Sequence, residues 1–201
     1  MLEELGKRAK AAAFVLNRTG AEAKNAALCR IADALEARMA YILEENAADL
    51  RAGEANGMRS ALLDRLRLDE KRIAGMADGV RQVAKLPDPV GRVITRVDRP
   101  NGLTIEKIGV PMGVVAIIYE SRPNVTSDAA ALTVKSGNAC VLRGGREAFR
   151  SADAIVRAMQ RGLKQAGLPE TLVQLVQDAT RQSANDLMTA VGLVDLLIPR
   201  G

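Results

Sequence analysis

The sequence predicts an α/β protein with a helical N-terminal part, a β-hairpin, and a parallel sheet covered by helices on both faces. Three observations carry this. Apolar residues recur three or four apart as far as residue 86, two short alternating segments flank an Asn-Gly pair, and beyond residue 110 apolar runs alternate with helical stretches. Uninterrupted strand-helix-strand alternation, with strands apolar on both faces, requires parallel strands joined by right-handed crossovers. The chain divides accordingly into residues 1–90 (helical), 91–110 (hairpin) and 111–201 (sheet).

In the first part Leu28, Ile31, Leu35, Met39 and Ile42 form one stripe, and Ile73, Met76, Val80 and Val83 form another. Such amphipathic helices pack on a body and carry no chemistry of their own. Gly53 and Gly57 are expected to break the first long helical region, and Pro87 and Pro89 to end the last helix. Next, Arg92–Val97 and Leu103–Ile108 alternate apolar with polar around Asp98-Arg-Pro-Asn-Gly102, a chain-reversal signal. A lone hairpin is barely stable in water, so it must lie on the body or pair with another subunit.

The last part reads as strand Gly113–Tyr119, then a helix to Ser136 closed by Gly137, then strand Ala139–Arg143. A helix from about Glu147 to Ala166 follows, stopped by Gly167 and Pro169. Leu172–Val176 is the third strand, Thr180–Val191 the last helix and Val194–Ile198 the fourth strand.

Composition removes whole classes of chemistry. The 201 residues include no histidine, which excludes serine-histidine and cysteine-histidine catalysis and histidine-bound zinc for these residues. Cys29 and Cys140 match no CxxC spacing, so no metal site is indicated, and both read as small buried hydrophobes suited to a reducing cytoplasm. The longest apolar run, Val110–Tyr119, contains Pro111 and Gly113 and is too short to span a membrane. Of the net charge of +5, most falls between residues 91 and 150, where nine basic side chains face five acidic ones. That excess suits a phosphorylated small molecule, an acidic partner or nucleic acid. With 2% aromatic residues and no Trp, a base-stacking surface is disfavoured.

Ligands of parallel α/β sheets bind beyond the carboxyl ends of the strands. Three such exits stand out: Glu120-Ser-Arg-Pro-Asn124, Arg143-Gly-Gly-Arg146 and Pro199-Arg200-Gly201. Each carries arginine. Guanidinium groups and backbone N–H donors near helix N-termini are what a pyrophosphate or an acyl phosphate needs. Neither GxGxxG nor GxxxxGK[ST] occurs, so an ordinary dinucleotide fingerprint and a P-loop are both absent.

Ile108-Gly-Val-Pro-Met-Gly-Val-Val-Ala-Ile-Ile-Tyr-Glu-Ser-Arg-Pro-Asn-Val-Thr126, Lys135-Ser-Gly-Asn-Ala-Cys-Val-Leu-Arg-Gly-Gly145 and Asp195-Leu-Leu-Ile-Pro-Arg-Gly201 closely resemble the gamma-glutamyl phosphate reductase family, a branch of the aldehyde dehydrogenase superfamily. The resemblance covers the first half of the family's chain. It implies a Rossmann-like sheet of the aldehyde dehydrogenase type, truncated before the catalytic domain. It also implies NADPH-dependent reduction of L-glutamate 5-phosphate to L-glutamate 5-semialdehyde plus phosphate in proline biosynthesis. The reaction would pass through a cysteine thioester, with that cysteine in the family's second domain, so the 201-residue chain alone is expected to be inactive.

Carried onto matching residues, the resemblance gives Asn124 an oxyanion role and puts Ser121, Arg122 and Thr126 near the substrate. Arg143, Gly144, Gly145, Arg200 and Gly201 fall to the cofactor, NADP(H), since a planar guanidinium fork suits its 2′-phosphate. Between Asn124 and the second strand the sequence is about one helical turn shorter than ordinary aldehyde dehydrogenases. The implied partners are a small acyl phosphate and further copies of the chain, joined through the hairpin at 91–108. Neither nucleic acid nor membrane is implied, and the location is cytoplasmic. The alternatives are a non-catalytic nucleotide-binding or assembly module and, from charge alone, a nucleic-acid binder.

Overall fold

The computed structural model describes residues 2–200. Five helices come first: α1 (Leu2–Leu16), α2 (Ala21–Ala37), α3 (Met39–Ala55), α4 (Ser60–Leu66) and α5 (Glu70–Lys85). The hairpin strands β1 (Val93–Asp98) and β2 (Thr104–Ile108) follow. Then β3 (Val114–Tyr119), α6 (Pro123–Lys135), β4 (Ala139–Arg143), α7 (Phe149–Gln165), β5 (Val173–Leu175), α8 (Arg181–Met188) and β6 (Leu196–Arg200) complete the chain.

The sheet runs β5-β4-β3-β6 with every neighbouring pair parallel. Val114–Ile117 and Ala139–Leu142 are buried, as strands covered on both faces must be. Helices α6 and α7 pack on one face and on each other, α1 lies across β3, β4 and β5 on the other, and α2 and α5 form an outer layer on α6 and α7. The helical part and the sheet therefore share one continuous core, from Ala9 through Ile31 and Ile73 to Met159.

Two polar clamps set the strand register. The Asp195 carboxylate accepts from the backbone N–H of Val114 (2.7 Å) and from the Lys10 ammonium (2.6 and 2.7 Å), joining α1, β3 and the residue before β6. Gly113 alone could stand beside it. Its φ is +122°, and a Cβ there would lie 2.2 Å from the Asp195 carboxylate. On the other side, the Asn138 side-chain oxygen accepts from the backbone N–H groups of Met112 and Gly113 (2.7 and 2.8 Å).

Two buried lysines hold the root of the hairpin. Lys24 of α2 pairs with Asp88 at 2.6 Å, and Lys135 of α6 donates to the Ala84 carbonyl at 2.9 Å and to Asn25. Beyond that root the hairpin pairs Val97 with Ile105 and Asp98 with Thr104, and every residue of both strands is exposed. It does not lie on the body.

Four expectations need correction. Gly53 does not break a helix: it sits inside α3, where a Cβ would press on Leu63 and Met58, and Gly57, at φ +72°, follows the helix end. The last helix ends at Met188, because Thr189 to Val194 form a turn in which the Val194 N–H bonds the Ala190 carbonyl. That turn delays the fourth strand to Leu196–Arg200. Cys140 is fully buried as expected, but Cys29 is exposed, since Leu28 and Ile31 take the inner face of α2 and residue 29 falls outside it.

Candidate functional site

Parallel register brings the strand exits side by side. Ile118 is level with Arg143, and Tyr119 with Arg200. A cleft of about 570 Å³ opens there, lined by Ser121, Arg122, Arg143, Gly145, Glu147 and Arg200 among others.

Each loop is fastened to its neighbour. The Tyr119 hydroxyl and Thr126 Oγ1 share a buried hydrogen bond of 2.7 Å, tying the end of β3 to the first turn of α6. Burial pushes the Tyr119 hydroxyl far above its ordinary pKa, so it stays protonated. Ser121 Oγ donates to Glu147 at 2.7 Å, joining the loop after β3 to the turn after β4. That bond, with the residue's own backbone N–H and the nearby Arg146 and Arg143, holds the Glu147 carboxyl below the usual range. The glycine pair is what lets the loops meet. A Cβ on Gly145 would lie 2.6 Å from Ser121 Oγ, and one on Gly144 would lie 3.1 Å from the Tyr119 ring.

Arg143 is the unusual group. Its Nη2 donates to the carbonyls of Ala179 (2.8 Å) and Thr180 (2.9 Å), while its buried Nε has no hydrogen-bond partner. Among the described residues no carboxylate lies within 4 Å of it. Arg143 is thus a half-buried cation held by neutral acceptors, and the Glu147 and Asp178 carboxyls lie near enough for its charge to lower their pKa values.

Ser121, Arg122, Arg143, Gly145 and Arg200 thus line one cleft. Thr126 does not join them, because it is fully buried against Tyr119 and supports the loop from beneath. Gly144 is likewise buried. Gly201 lies outside the described residues. Asn124, exposed on the first turn of α6, lines a neighbouring cleft of about 560 Å³ with Arg65, Arg67, Arg122 and Asp128.

Asp128 is the residue that the sequence did not reveal. One helical turn beyond Asn124, its carboxyl is pushed up by burial, against the weaker opposing pull of Asn124 Nδ2 (3.5 Å) and Arg200. Only its i, i+4 spacing from Asn124 could have flagged it. A third cavity, of about 630 Å³, lies beside β5 between α1, α7 and α8 and holds none of these residues.

Comparison with known proteins agrees with this geometry. Residues 2–196 match the aldehyde dehydrogenase family. The chain is 53% identical over 197 residues to gamma-glutamyl phosphate reductase of Carboxydothermus hydrogenoformans, covering 98% of this chain and 48% of that protein. It is 50% identical to the enzyme of the same name from Xanthomonas oryzae pv. oryzae, covering 100% of this chain and 48% of the other. The crystal structure of gamma-glutamyl phosphate reductase from Thermotoga maritima superposes with a TM-score of 0.97 at 40% identity, over 100% of this chain and 48% of that one. The Saccharomyces cerevisiae structure of the same name gives 0.88 at 33% identity, over 98% and 50%. The chain therefore spans about half the length of the curated relatives it matches. With a parallel sheet, aligned arginine-bearing strand exits and a family match from the first helix to the last strand, this chain belongs to the aldehyde dehydrogenase family.

Proposed function

We propose that these residues form the cofactor-binding and substrate-holding half of an NADPH-dependent gamma-glutamyl phosphate reductase, which converts L-glutamate 5-phosphate to L-glutamate 5-semialdehyde and phosphate in proline biosynthesis. The observation that carries the reading is Arg143, a half-buried cation that lines the cleft at the strand exits of a chain 53% identical to an enzyme of that name. A cation lining the strand-exit cleft suits an anionic cofactor. Arg143 and Gly145 would hold NADPH with Arg200, and a guanidinium fork suits the 2′-phosphate. When bound, that cofactor supplies the hydride.

On the substrate side Arg122 and Ser121 flank the position of the acyl phosphate, and Asn124 Nδ2 is the donor for the carbonyl oxygen as negative charge develops on it. The nucleophile is neither cysteine of this chain. Cys140 is fully buried and its thiol is pushed up to about 12, while Cys29 lies on the outer face of α2. A thiolate from the other half of the relatives' length would attack the acyl carbon, expel phosphate and leave a thioester. The exposed hairpin, with Val97 and Ile105 uncovered, is the surface through which copies of the chain would assemble. No helix among the described residues is long and apolar enough to cross a membrane. The likeness to bacterial biosynthetic reductases supports a cytoplasmic location as part of the same proposal.

The test is NADPH oxidation by the product of the complete reading frame, supplied with gamma-glutamyl phosphate. Arg143→Ala should weaken NADPH affinity about tenfold to a hundredfold, the value of one charge-assisted contact. Affinity unchanged in a fluorescence titration would remove Arg143 from the cofactor site.

A further inference from the structure

A second cleft lies beside Arg122, and the function proposed above uses only Asn124 at its edge. Asp64, Arg65 and Arg67 come to it from α4 and the turn after it, Arg72 and Gly75 from α5, and Asn124 and Asp128 from α6. Its rim is fixed. Arg72 donates to the carbonyls of Asp64 and Arg67, and from behind the Asn46 side chain donates to the Leu66 carbonyl and accepts from the Leu68 N–H. Arg65, Arg67 and Arg122, by contrast, have no carboxylate within 4 Å among the described residues. The cleft therefore offers one half-buried carboxylate and three arginines that no acidic side chain neutralises.

The helix on the opposite wall leaves room for a guest. Gly75 and Gly79 stand four residues apart in α5, where glycine weakens a helix. Packing does not demand them: a Cβ on Gly75 would meet no atom within 4 Å, and one on Gly79 would meet only Asp128 Oδ1, at 3.9 Å. The open space lies directly over the Asp128 carboxylate.

We propose that this second cleft receives the α-amino-acid end of the substrate, with Asp128 pairing with the α-ammonium and Arg67 with the α-carboxylate. The inference rests on the proposed reduction of gamma-glutamyl phosphate and adds how that substrate is told from other acyl phosphates. Arg122 lines both clefts, and Asn124 joins Asp128 in the second. A molecule with a phosphorylated carboxyl at one end and a zwitterion at the other spans the pair. Burial makes an unpaired Asp128 carboxylate costly, and an arriving ammonium relieves that cost. Asp128 is thus a specificity-determining residue.

The experiment compares gamma-glutamyl phosphate with glutaryl phosphate, which has the same reacting group and lacks only the α-amino group, using the product of the complete reading frame. The unaltered protein should prefer the amino-acid substrate at least about tenfold in kcat/KM, and Asp128→Asn should cut that preference to within about twofold, chiefly through KM. Asp128→Glu should restore part of it. Gly75→Leu, a helix-favouring change in open space, should raise KM for gamma-glutamyl phosphate without lowering the melting temperature. If the unaltered protein turns over neither acyl phosphate, the proposed reduction fails and this inference fails with it. If it turns over both and the preference survives in Asp128→Asn, or both substrates suffer equally, the assignment of Asp128 alone is overturned.

Discussion

The hairpin and the parallel sheet are both β-structure, yet they differ in nearly every physical respect. In β3 and β4 apolar side chains fill both faces and are buried, and the strand ends carry the polar groups. In β1 and β2 charged and apolar residues alternate and all of them face solvent, including Ile94, Val97 and Ile105. The contrast teaches where free energy is stored. A change at the sheet should act on folding, and a change at the hairpin should act on association alone.

The strongest way to break that contrast is at Gly113. Gly113→Val would force a side chain into a φ of +122° and against the Asp195 carboxylate, with an expected loss of more than about 4 kcal/mol or failure to fold. Urea unfolding measures this, and a loss under about 1 kcal/mol would show that the sheet tolerates strain there.

Asp195 gives a smaller, pH-dependent effect. Burial raises its pKa, but the Lys10 ammonium and the Val114 N–H outweigh burial and hold it below the usual carboxylate range. A folded-state value under the unfolded value of about 3.9 means stability that is present above that pH and lost as pH falls through the folded value. Asp195→Ala should therefore cost about 1–2 kcal/mol at pH 7, discounted for partial exposure, and the gap from the unaltered protein should close below about pH 4. A gap that stayed constant from pH 7 to pH 3 would rule out the clamp as its source.

The smallest effect on folding belongs to the hairpin. Replacing both Val97 and Ile105 by Ser should change unfolding free energy by less than about 0.5 kcal/mol, while sedimentation should show a smaller species if copies assemble through the hairpin as proposed. A large stability loss without a change in sedimentation would reverse the contrast drawn between the two regions.

Much of this fold was legible because strong local signals agreed. Val114–Tyr119 and Ala139–Arg143 are continuous apolar runs bounded by glycine, and Asn101-Gly102 announces its reversal unaided. Arg122, Arg143 and Arg200 could be singled out because a parallel sheet binds ligands at its strand exits. Other features depend on distant partners. Nothing local tells that Asp195 meets Val114 and Lys10, that Thr126 turns inward to Tyr119, or that Arg65 and Arg67 overhang α6. The amphipathic stripes of the helical half speak only of packing and conceal its contribution to the second cleft. Cys29 shows the opposite error: a residue type that is usually buried stands one position off the stripe.

The two lysines at the hairpin's root have a mechanical consequence. Because Lys24 and Lys135 grip Asp88 and the Ala84 carbonyl from inside the core, the hairpin is an outrigger with a clamped base. Lys135 sits in the last turn of α6 and grips the end of α5 just ahead of the hairpin, and the first turn of α6 carries Asn124. If copies of the chain meet at the hairpin as proposed, strain there would run along α6, from Lys135 at one end to Asn124 at the other.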